Sequence, residues 1–254
     1  MGEVKYTIDS PEGGVSALFS GSLDVALKAM DKVGFHLISS YETTLLRIVE
    51  FDKYKRKIDG MRDNGGNVNL FDFSPRALMI GNMVSEGVVY VPGDRRYMTR
   101  KSPVLKRPEE FVAAEKARRN FYITNKELEE ALSDSVKIPY RFNGEISQGR
   151  SRGDSDNQIP LDKLNGNEVT EFFFRKSMGG FDKYIEVLEA YGIDFINISL
   201  KGEDYVNKQE QPFSKQLSLG GIVNVSSIWT ADKEIRGYYS RNPVSVEVDD
   251  GLFD

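Results

Sequence analysis

Cysteine is absent from all 254 residues, and histidine occurs once, as His36. Without a thiol the chain has no disulfide, no thiolate nucleophile and no cysteine-based metal site. With one imidazole, Ser–His–Asp chemistry and zinc hydrolysis both depend on His36 or do not exist. His36 stands in "VGFHLISSYE", at the head of an expected strand, where an ordinary packed or surface histidine is the expectation. Long apolar runs are missing too: nothing approaches the roughly 18 residues a bilayer span requires. "MGEVKYTIDS" has neither the basic start nor the apolar centre of a secretory leader. Tyr6 breaks the myristoylation pattern. A soluble protein of the cytoplasm (the host cytoplasm if viral) is therefore expected.

Phosphate-cradling motifs are also lacking. No G-x-x-x-x-G-K-[ST] and no helix-opening G-x-G-x-x-G occurs. Gly179-Gly180 before the helix expected at 181–191 reads as a turn. "RGDSDNQIPLD" fails the EF-hand pattern, because Ile159 stands where the turn glycine belongs and Asn165 or Gly166 where the bidentate Glu belongs. The one E-x-K, Glu3–Lys5, precedes any partner acid, which argues against a carboxylate-metal nuclease. No cofactor and no metal are expected. Paired carboxylates stay open, since 39 acidic residues single out no pair.

What is present looks globular: 39% apolar and 29% charged residues, with length for one large domain or two small ones. Segments 24–40 and 182–199 each open with Asp and run at helical spacing to a glycine, Gly34 or Gly192, placed as a left-handed helix stop. Strands are expected before them at 4–8 and 169–176 and after them, which makes two strand–helix–strand units. Residues 43–58 alternate like a long strand or hairpin arm. Asn64-Gly65-Gly66-Asn67 signals a turn, and 74–87 a short helix with Ser74 as cap and Pro75 at its first position. "GVVYVPGDRRYMT" reads as strand, turn, strand. Helices are expected at 107–121, started by Pro108, and at 124–135, with Thr124 and Glu127 forming a capping box. "VKIPYRF" reads as a short strand, and the stretch from 215 onward as several more. The elements do not alternate regularly enough for a parallel fold. An α+β fold follows, with mainly antiparallel sheet and amphipathic helices. Residues 1–142 are expected as an N-terminal α+β domain, 143–168 as a flexible polar loop or linker, and 169–254 as a C-terminal α+β portion with an acidic tip; the whole can equally form one continuous domain.

One stretch departs from the acidic background. Residues 95–122 hold nine cations (Arg95, Arg96, Arg100, Lys101, Lys106, Arg107, Lys116, Arg118, Arg119) against Glu109, Glu110 and Glu115, a local +6 in a chain of −5. Concentrated positive charge suits phosphate binding. Tyr97, Phe121 and Tyr122 are interleaved and could stack bases. A second run, Lys53, Tyr54, Lys55, Arg56 and Lys57, repeats the pattern, and Arg150 and Arg152 add to it.

The end of the chain, Asp249, Asp250, Leu252, Phe253 and Asp254, is similar to the acidic, aromatic-ended tails of bacterial and phage single-stranded-DNA-binding proteins. The resemblance implies a tip that docks on partner enzymes and competes for a basic groove. It departs from that pattern in ending on Asp254 and in following a strand-like segment. The leading expectation is a non-enzymatic binder of nucleic acid, single-stranded DNA or RNA, with partner proteins at the tip. The alternatives are a structural or assembly protein of a viral particle or complex, and a carboxylate-based, metal-dependent enzyme.

Overall fold

The computed structural model describes residues 3–9, 15–63, 82–140, 147–148, 154–165, 167–174, 180–190, 195–220, 224–227 and 233–239. The fold is α+β, and its sheet is mainly antiparallel. Strands β1 (Glu3–Asp9) and β2 (Val15–Gly21) pair as an antiparallel hairpin. Strand β13 (Lys233–Tyr239) adds beside β2, and β3 (His36–Leu37) beside β13. Helix α1 (Leu23–Lys32) bridges β2 to β3 and ends at Gly34, whose φ of 75° is the left-handed conformation expected there.

The larger sheet is centred on β4 (Asn82–Tyr90) and β11 (Phe213–Gly220), paired antiparallel from Phe213↔Tyr90 to Leu219↔Asn82. On the β4 side follow β5 (Arg96–Thr99) and β7 (Ser135–Ile138). On the other side β11 is met by β12 (Asn224–Ser227) at one end and by β6 (Phe121–Tyr122) at the other. Beyond β12 lie β10 (Phe195–Lys201), β9 (Asp154–Pro160) and β8 (Ser147–Gln148). Only β10–β12 is parallel among the described pairs. The sheet therefore draws strands from both sides of residues 143–168, and 154–160 of that expected loop form β9.

Both faces of the sheet are covered, and β4 shows how. Its side chains alternate, so Val88 and Tyr90 enter the core under α2 (Ser40–Asp63) and α6 (Gly180–Ala190), while Val89 joins the core under α1 and α3 (Pro108–Lys116). The β4–β5 hairpin turns at Pro92-Gly93 as expected, with Gly93 at φ 74°. Pro108 occupies the first turn of α3. Helix α4 (Asn125–Leu132) carries the predicted capping box in full: Thr124 accepts from the Glu127 N–H, and Glu127 accepts from the Thr124 N–H.

Three expectations of secondary structure are corrected. Residues 43–58 are helix, not strand. Glu42 accepts from the Ser39 N–H at 2.7 Å, and the Glu42 N–H donates to Ser39 Oγ at 3.2 Å. This capping box launches α2, and the alternation of apolar residues beyond it was misleading because Thr43 through Ile48 are all buried. Residues 168–174 are helix α5 (Glu168–Phe174) rather than strand, because Asn167 Oδ1 caps the N–H groups of Val169 and Thr170. The second strand–helix–strand unit thus lacks its first strand. Residues 82–87, expected to end a helix, belong to β4; the turn at Asn64 and the helix start at Ser74 lie outside the described residues.

Candidate functional site

Helix α3 ends in a turn that L-residues rarely adopt. Arg118 has a φ of 56°, where glycine is usual; its N–H donates to the Glu115 carbonyl and the Arg119 N–H to the Ala114 carbonyl, both at 2.9 Å. That paired pattern closes the helix and swings Arg119 and Asn120 out toward β6. In the two-residue β6, alternation sends Phe121 into the core, edge-on to Phe111 at 5.9 Å, and Tyr122 outward. Tyr122 is 44% exposed, and among the described residues only Phe195 is another large apolar side chain so exposed.

The result is an open groove of about 330 Å³ between the end of α3 and β6. Ala113 and Ala114 form its apolar side, and Arg107, Glu110, Arg119, Asn120 and Tyr122 its polar rim. A further short helix, α7 (Glu203–Val206), and the turn after it complete the surroundings. Asn120 Nδ2 donates to Gln209 Oε1 at 2.9 Å, Tyr205 donates to Asn120 Oδ1 at 3.1 Å, and Gln209 Nε2 donates to the Tyr205 carbonyl at 3.1 Å. The Tyr122 hydroxyl reaches Gln209 Oε1 at 3.4 Å. Arg107 holds the Tyr122 carbonyl at 3.1 Å while paired to Glu110 at 2.6 Å and to Glu127 at 2.8 Å. Glu115 of α3 and Lys215 of β11 form a buried ion pair, their side chains 0% and 5% exposed. Neither Gln209 nor Tyr205 was anticipated from the sequence; both lie more than 80 residues from Asn120.

The residues expected to bind nucleic acid are placed as follows. Arg96 is fully buried, donating to the carbonyls of Lys201 and Pro139. Arg100 pairs with Asp134 and lies over the Phe172 ring at 4.7 Å. Lys101 donates to Ser133, and Lys106 pairs with Glu130. Of the four aromatics assigned to base stacking, Phe121 is core. Tyr97 lies under Lys137, and burial with the 2.6 Å bond to Asp94 pushes its phenol up to about 12. Among the described side chains of that set, only Tyr122 presents an exposed ring. Arg95, Lys116, Arg118 and Arg119 are exposed. The run 53–57 lies in α2, where Lys55 sits over the Phe51 ring at 5.8 Å and the side chains of Lys53, Tyr54, Arg56 and Lys57 fall outside the described residues. Arg150, Arg152 and the tip from Asp249 to Asp254 also lie outside them.

A second concavity, of about 540 Å³, opens beside α1 and β3. Leu27, Met30 and Phe35 line it, with His36 and Glu42 at its rim, His36 Nε2 being 2.9 Å from Glu42 Oε1. The Glu42 hydrogen bond raises the His36 pKa. Burial pushes Glu42 up, but bonds from His36 and Ser39 hold it below its ordinary value. Asp31 lines the same groove, and the buried Glu86, its pKa raised by burial, is bonded to Ser40. A raised imidazole stabilises the fold fully below its unfolded pKa near 6.5 and loses that contribution as pH rises through its folded value. The lowered carboxylate contributes above its ordinary range. Wild type is therefore expected to melt higher than His36→Gln at about pH 5.5, with the margin shrinking by about pH 8.5; thermal scans at both values check this.

Among the described residues no helix is long and apolar enough to cross a membrane, and no group of three or more acidic or histidine side chains could hold a metal. No protein-family model and no curated protein matches the chain. A solved structure reported as "Accommodation of massive sequence variation in Nanoarchaeota by the C-type lectin fold" superposes on 87% of this chain and 94% of its own, with a TM-score of 0.52 at 14% identity. The chain is thus similar in fold to a C-type lectin domain. That likeness points away from the expected nucleic-acid partner.

Proposed function

We propose that the protein is a recognition module that binds a carbohydrate in the groove at Tyr122. The observation that carries this reading is the groove's make-up: one exposed aromatic ring beside two amides, a guanidinium and a carboxylate already held by one another. A sugar ring has an apolar C–H face and a rim of hydroxyls that both donate and accept. An aromatic face covers the first, and planar amide, guanidinium and carboxylate groups satisfy the second. Preformed bonds among Asn120, Gln209 and Tyr205 reduce the ordering cost of binding.

Size favours a small ligand over a protein surface. A stable protein interface takes roughly 800 Å² from each partner around a cluster of buried apolar anchors. The described surface offers two exposed large apolar side chains, Tyr122 and Phe195. A groove of 330 Å³ stands at the lower end of the range for small-molecule sites. The similarity of fold supports the same reading: in the Nanoarchaeota protein the C-type lectin fold accommodates massive sequence variation, so one frame can carry many different surface side chains.

Glycan-array screening followed by calorimetry tests it. Tyr122→Ala is expected to weaken the best glycan by at least about tenfold, 1.4 kcal/mol, and Gln209→Ala by less, without lowering the melting temperature. Binding unchanged in Tyr122→Ala would remove the site.

A further inference from the structure

We infer that the sugar bound at Tyr122 carries an anionic group, a carboxylate or sulfate, held by Arg119; this rests on the carbohydrate reading above. The charges around the groove divide into two sets. Arg107 is committed: Glu110 and Glu127 hold it at 2.6 and 2.8 Å, and Phe121 lies 4.6 Å beneath its guanidinium. Two carboxylates against one guanidinium leave that side of the groove with no cation to offer. The end of α3 is different. Lys116, Arg118 and Arg119 stand within four residues, all exposed, and among the described residues none of them forms an ion pair. Glu115, the acid nearest to them in sequence, is buried against Lys215 and cannot reach out.

Two opposing effects act on an anion here. The carboxyl end of α3 presents the negative end of the helix dipole, worth about half an elementary charge. The full positive charges of Lys116 at its last residue and of Arg118 and Arg119 on the following turn outweigh it. Of these, Arg119 alone lines the groove. The left-handed conformation at Arg118 holds it there: the turn that closes α3 fixes the Arg119 backbone through its bond to the Ala114 carbonyl. A guanidinium fork binds a carboxylate or sulfate through two parallel hydrogen bonds, which a neutral hydroxymethyl group cannot match.

The test compares three matched oligosaccharides, ending in a neutral hexose, a hexuronate or a sulfated hexose, by calorimetry at about 50 and 200 mM salt. The variants are Arg119→Gln, Tyr122→Ala and Arg118→Gly, the last keeping the turn while removing a neighbouring charge. Wild type is expected to bind an anionic sugar at least about tenfold more tightly than the neutral one, more so at low salt. Arg119→Gln should bring the anionic sugars to the level of the neutral one, and Arg118→Gly should retain most of the preference. Preference for the hexuronate or for the sulfated sugar identifies which anion the fork takes. Equal affinity for all three, abolished in Tyr122→Ala, would overturn the anionic inference and leave the carbohydrate reading standing. A preference that survives in Arg119→Gln would overturn the assignment to that residue. No binding of any sugar would overturn both.

Discussion

Lys215→Ala is expected to cost about 3–5 kcal/mol of stability, because it leaves the Glu115 carboxylate buried without its counter-charge. Glu115→Ala should cost a similar amount by stranding Lys215. Lys215 lies on β11 at the centre of the larger sheet, and Glu115 on α3, whose end forms one wall of the groove. Against a total stability of roughly 5–15 kcal/mol, a loss of this size moves the chain close to the unfolding threshold. In a chain of this length it corresponds to a fall of about 10 °C in melting temperature. Replacing both partners with apolar residues, as in Lys215→Met with Glu115→Leu, should recover most of the loss, since no charge is then desolvated. Urea unfolding of the two single variants and the double variant measures this directly. A single-variant loss below about 1 kcal/mol would mean that water reaches the pair and that α3 is less firmly docked than its burial indicates. The pair also bears on function: the double variant should still bind sugar, whereas the single variants should bind poorly through a displaced α3.

Arg96→Glu is expected to prevent folding, with a loss above about 4 kcal/mol, while Arg95→Glu changes stability by no more than about 0.5 kcal/mol. The two residues are adjacent in sequence and alike in chemistry. Arg95 stands exposed before β5. Arg96 begins the strand and points inward, where its guanidinium donates to Lys201 O at 3.0 Å and Pro139 O at 2.7 Å and lies 5.1 Å from the Tyr140 ring. Burial lowers its pKa. A carboxylate in its place would face two carbonyl oxygens in a dry site. Arg96→Met keeps the apolar packing and should be milder, losing the bonds but adding no buried charge. Soluble yield and urea midpoints for the three variants check the order. If Arg96→Glu folded with near wild-type stability, Arg96 would have to be a surface residue, and the basic stretch would regain a cation now assigned to the interior.

Several local signals in the sequence are self-contained and carry over into the structure. Pro108 starts α3, Thr124 and Glu127 cap α4, Pro92-Gly93 turns the β4–β5 hairpin and Gly34 stops α1. Each works through neighbours within four residues, so no distant contact is needed to read it. Helix α2 was missed although Ser39 and Glu42 announce it by the same capping chemistry. Its buried run from Thr43 to Ile48, with Arg47 itself buried and bonded to the Tyr184 hydroxyl at 2.8 Å, lacks the polar face of an ordinary surface helix.

By itself, the sequence determined that the chain is α+β, that cysteine chemistry is impossible, that one imidazole limits histidine chemistry and that cations gather between residues 95 and 119. It could not determine what those cations do, because the acids that engage them lie in other elements. Glu127 and Glu130 come from α4 and Asp134 from the turn beyond it; only folding brings them to Arg107, Lys106 and Arg100. The groove was hidden for the same reason. Asn120 and Tyr122 meet Tyr205 and Gln209 only because β6 docks on β11, and hydrogen bonds between residues so far apart leave no periodic trace along the chain. Charge and local caps are properties of a segment, whereas burial and partnership belong to the packed molecule.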